Sequence, residues 1–89
     1  MLTIQDLKRN HVYRAKRPQR IFLFSGDLYN DRQILYINED IGIIQYDSPS
    51  VNNGRHYPKT TIEKFLKWAD RDVTNECPEG EWIKYPRKF

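Results

Sequence analysis

The sequence predicts a mainly β domain with one helix, an α+β chain built on a small, strongly bent antiparallel sheet. Three observations predict it. Short apolar runs rich in Ile, Tyr and Phe are cut repeatedly by Pro, Gly, Asn and Asp, the rhythm of strands and turns. Only the stretch from Thr60 to Ala69 repeats its apolar residues at helical spacing. The 89 residues contain no repeat and no linker, so residues 1–89 make one folding unit.

Residues 1–10 predict a helical opening turn, with Thr3 as cap, Asp6 near its positive end, Leu2 and Leu7 pinning it inward and Asn10 ending it. Residues 12–59 hold the sheet. Val12 to Arg17 reads as its first strand, with Val12, Arg14 and Lys16 in a basic outer row until Pro18 removes a donor. Ile21-Phe22-Leu23-Phe24 is apolar throughout and reads as the central strand. A hairpin near 33–46 follows from Gln33 to Ile37 and Ile43 to Tyr46, which flank turn chemistry ending in Gly42, a position suited to positive φ or a bulge. Asp47 to Gly54 holds mostly turn formers, and Asn53-Gly54 predicts a tight reversal returning through Arg55-His56-Tyr57.

The helix is expected over 61–70. Thr60 and Glu63 have capping-box spacing, and Ile62, Phe65, Leu66 and Ala69 form a stripe, with Trp68 beside it. Residues 71–89 read as an irregular acidic tail with a candidate last strand over 82–85. This order of elements is similar to that of SH3-like or Tudor-like barrels, a resemblance of layout that no residue motif carries. The alternative is an open α+β sheet with the helix on one face.

A net charge of +3, with 30% of residues charged and 38% hydrophobic, excludes a disordered polyelectrolyte. No apolar run reaches the roughly 20 residues of a membrane span, and a lone Cys77 permits no internal disulfide, so the expectation is a cytoplasmic protein without membrane contact. His11, His56 and Cys77 lack metal-ligand spacing, and Cys77 stands among acids that blunt a thiol, so neither metal nor other cofactor nor catalytic residue is expected. The four glycines are scattered singly, which leaves no phosphate-cradling loop.

The charges come in blocks, with a sum of +5 over residues 1–20 and +3 over 55–67, separated by −4 over 21–54. Arg14, Lys16, Arg17, Arg20, Arg55 and Lys59 are therefore the candidate phosphate contacts, with Tyr46 and Tyr57 to stack on bases. The expectation is a non-enzymatic module that binds DNA or RNA. The alternative is a small protein-interaction or inhibitor domain, of phage or mobile-element type, that binds one host protein through charged and aromatic faces. A plainer reading makes the charges a solvated surface. The chain would act as a monomer or as a dimer paired through an edge strand.

Overall fold

Thr3 and Asp6 start the chain as their spacing suggests: the Thr3 amide donates to Asp6 Oδ2 at 2.7 Å and Ile4–Asp6 form one 3-10 turn. The structure is a computed structural model that describes residues 2–22, 26–51, 56–78 and 81–86. Asn10 takes a left-handed φ of 69° and turns the chain into the first strand.

Among the described residues seven strands and one α-helix follow: β1 (Val12–Ala15), β2 (Arg20–Ile21), β3 (Leu28–Tyr29), β4 (Arg32–Asn38), β5 (Ile43–Asp47), β6 (Lys59–Thr61), α1 (Ile62–Trp68) and β7 (Ala69–Asp72). Five strands pair antiparallel in the order β6-β5-β4-β1-β7, and β2 and β3 make a separate two-stranded sheet. The fold is mainly β with one helix, as the sequence implies.

The sheet is curled. Laid flat, five strands set their outer two about 19 Å apart, yet α1 joins β6 directly to β7 and its seven residues rise only about 11 Å. Register shifts at Arg14/Ala15 in β1 and at Ile34/Tyr36 in β4 add local twist. Among the described residues β6 and β7 do not pair, so the strands form a curled sheet and not a closed barrel.

Its concave side holds the core, where Leu7, Tyr13, Ile34, Ile44, Ile62, Phe65 and Ala69 cluster, with Leu66 and Trp68 partly buried against them. Tyr13 meets the Phe65 ring edge-on at 5.6 Å, and its hydroxyl accepts from the Lys8 amide and donates to the Asp6 carbonyl. Burial raises the Tyr13 pKa, against the Lys8 amide, whose donated hydrogen bond pulls it down.

Several expectations are corrected. All four residues of β1 are buried, so it carries no basic outer row. Asp31 and Tyr29 lie against the Arg14 side chain, and Thr74 Oγ1 accepts from the Val12 amide. The apolar run at 21–24 is not the sheet centre: Ile21 ends β2, Phe22 is 71% exposed, and Leu23 and Phe24 lie outside the described residues. The helix cap is Thr61, the residue immediately before the first helical residue Ile62, and its Oγ1 accepts from the Lys64 amide at 3.1 Å. Residues 69–72, expected as helix end and irregular tail, are β7. Of the segment 82–85, only Lys84 makes a bridge, to Leu28, with the Tyr85 amide donating to the Asp27 carbonyl nearby.

The hairpin stands as expected, with β4 against β5 and Gly42 at φ +71°. The reversal at Asn53-Gly54 lies outside the described residues.

Candidate functional site

Two arginines of the sheet have opposite fates. Arg14 is 7% exposed, meets Asp31 through Nε–Oδ1 at 3.1 Å and Nη2–Oδ2 at 3.2 Å, and lies 3.5 Å over the Tyr29 ring. It is spent on the fold and is withdrawn from the predicted basic patch. Burial pushes the Asp31 carboxyl up, against the pull of Arg14.

Arg32 begins β4 and is held between two rings, its guanidinium carbon 4.5 Å from the centre of Tyr46 and 4.2 Å from that of Trp68. Period-2 alternation puts it on the same face as buried Ile34, pointing toward the mouth of the curled sheet. No carboxylate lies within ion-pair distance of Arg32 among the described residues, and its side chain makes no hydrogen bond there. Burial pulls its pKa down from the ordinary arginine value, although a guanidinium stays charged at neutral pH.

Two hollows flank Arg32 and share it, together with Asn30. The first, about 360 Å³, is walled by Ala15, Lys16, Arg17, Gln19, Lys67 and Trp68. The amide of Lys16 donates to the Trp68 carbonyl at 2.8 Å, which fastens this basic turn beside the indole. The second, about 320 Å³, is walled by Tyr46, His56 and Pro58 with Ser48, Ser50 and Val51. Together they make one groove whose described lining holds Lys16, Arg17, Arg32 and Lys67 and no carboxylate. Asn30, which lines both hollows, has its Oδ1 buried without a donor among the described residues. A third hollow, about 390 Å³, has the opposite character, with Asp47, Glu81 and Trp82 and no cation in its described lining.

Of the residues singled out from sequence, Lys16, Arg17 and Tyr46 line the groove. Arg20 does not: it pairs with Asp27 at 3.6 Å and covers the exposed Phe22 ring. Lys59 is exposed on the edge strand β6, and Tyr57 is 45% exposed with its carbonyl accepting from Gln45; neither lines the two hollows at Arg32. Arg55 lies outside the described residues. Sequence reasoning missed Arg32, Lys67 and Trp68 as partners in one site. The available signal was a lone cation on the Ile34 face of a strand, a position where an arginine needs a reason.

The thiol of Cys77 reaches only the Val73 carbonyl, at 3.5 Å, and burial pushes its pKa up, which makes it a poor nucleophile. Among the described residues no group of three or more His, Cys, Asp or Glu side chains is placed to hold a metal, and no helix is long and apolar enough to cross a membrane. Compared with known protein families, curated proteins and solved structures, the chain matches none.

Proposed function

We propose that this protein is a non-enzymatic nucleic-acid-binding module of the cytoplasm that uses the groove around Arg32. One observation carries the reading: four cations and two aromatic rings converge on a concave surface with no carboxylate in its described lining. Exposed Lys16 and Arg17 suit phosphates, as does exposed Lys67, which a phosphate would draw from its surface pair with Glu63 at 3.3 Å, and each neutralised phosphate releases condensed counterions. Tyr46 and Trp68 supply flat apolar walls beside them. The strand order, with a helix joining the two outer strands, supports an SH3-like layout in which such a groove opens between the long excursion after β1 and the sheet.

Titration of labelled DNA and RNA with the purified protein at rising salt tests this. Affinity that falls log-linearly with salt supports the reading, and absence of binding at low salt overturns it. A second reading, a protein-interaction domain that binds one host protein, is favoured by the separate acidic hollow at Asp47, Glu81 and Trp82, which suits a basic partner. A complex recovered from nuclease-treated extract and lost on reversing Asp47 and Glu81 to Lys would support it.

A further inference from the structure

We infer that the groove takes single-stranded nucleic acid, with the phosphate between two nucleotides on Arg32 and their bases in the hollows to either side. This rests on the nucleic-acid reading above and adds to it the form of the strand and its register.

Arg32 is the pivot. Tyr46 and Trp68 cover its guanidinium, which orients it, and no hydrogen bond is made by its side chain among the described residues. It lines both hollows. An oriented, half-buried guanidinium without an acidic partner is matched by a phosphate, which accepts two parallel N–H bonds. Arg14 shows the contrast within the same sheet, its N–H groups already committed to Asp31.

The hollows decide what accompanies that phosphate. Volumes of about 360 and 320 Å³ on the two sides of one cation provide paired, nucleotide-sized spaces. Trp68 and Ala15 give the first an apolar wall, and Tyr46, Val51 and Pro58 do so for the second. A base turned out of a single strand fills such a space and removes its face from water. In a duplex those faces are buried in the stack and only the convex backbone is presented. It can touch exposed Lys16, Arg17 and Lys67 but leaves both hollows empty and cannot sink to Arg32.

The test compares binding, at one low salt concentration, of three probes: a labelled DNA strand of about eight nucleotides, near the lower range of single-strand sites, its blunt duplex, and a strand of equal length made abasic at adjacent positions. The base-bearing strand is expected to bind about tenfold or more tighter than either of the others, the effect of one or two seated bases. In a Trp82→Phe background, that strand and not the duplex should quench Trp68 fluorescence. Arg32→Lys, which keeps the charge and loses the fork, should remove most of the preference. Equal affinity for all three probes would overturn the inference and leave general phosphate binding intact. No binding of any probe would overturn the nucleic-acid reading itself.

Discussion

Arg14 and Asp31 meet through two hydrogen bonds, Nε to Oδ1 at 3.1 Å and Nη2 to Oδ2 at 3.2 Å, with side chains only 9% and 1% exposed. The pair fastens Asp31, next to the start of β4, to β1, and the Tyr29 ring shields the guanidinium. Removing one partner leaves the other charge buried alone, so Asp31→Ala should cost about 3–5 kcal/mol in urea denaturation. The double change Arg14→Met, Asp31→Leu should recover much of that loss. A single change that costs under about 1 kcal/mol would mean water reaches the pair.

The helix cap is separable by position. Thr61→Ala should lower stability by about 1 kcal/mol because the Lys64 amide loses its acceptor. Thr60→Ala should cost less, since the Thr60 side chain caps nothing. Paired melting curves check the order of the two effects.

Gly42 sits at φ +71° with open space where a Cβ would go. Gly42→Ala therefore tests backbone strain free of collision, and a loss of about 1–2 kcal/mol is expected. Gly42→Asn should recover part of it, Asn being at ease in this region.

Burial pushes the Asp72 carboxyl up, but hydrogen bonds from the Thr74 hydroxyl, from His11 and from the Thr74 amide outweigh it and leave the pKa lowered. His11 Nδ1 stands 2.7 Å from Oδ2. A lowered folded pKa stabilises the fold above the unfolded carboxylate value, near about 3.9, and that contribution is lost as pH falls through the folded value. The gap in urea midpoint between the native protein and Asp72→Asn should therefore hold from pH 7 to 5 and shrink toward pH 3. Asp31, shifted upward, works in the opposite sense, with its contribution lost as pH rises through its folded value.

The groove cations can be counted by salt. Changing Lys16, Arg17 and Lys67 together to Gln should lower the log–log salt slope for single strands by about 2, three lost contacts at about 0.7 each. All three are exposed, so circular dichroism should be unchanged. An unaltered slope would put the nucleic acid elsewhere.

What could be read from sequence was local. The β4–β5 hairpin with Gly42, the Thr3–Asp6 turn and the Ile62, Phe65, Ala69 stripe each depend on residues a few positions apart. The cover over β1 was not legible, because alternation at Val12 to Ala15 defines two faces without saying what lies on the second. The same limit governed the site. Arg14 and Arg32 differ by whether a carboxylate from a folded-back segment arrives, and Asp31 is next to Arg32 in sequence yet pairs with Arg14. Thr60 and Thr61 are equally good caps by residue type, and what decides between them is where β6 gives way to the helix, at Ile62.

The position of β1 between β4 and β7 also bears on synthesis at the ribosome. Tyr13 is made early, but its neighbour Asp72 emerges only after the helix has been translated. Until then β1 presents a bare row of backbone donors and acceptors that another nascent chain can pair with. A stalled or truncated product ending before Ala69 would keep that edge permanently, which makes premature termination more hazardous for this protein than the loss of a short strand suggests.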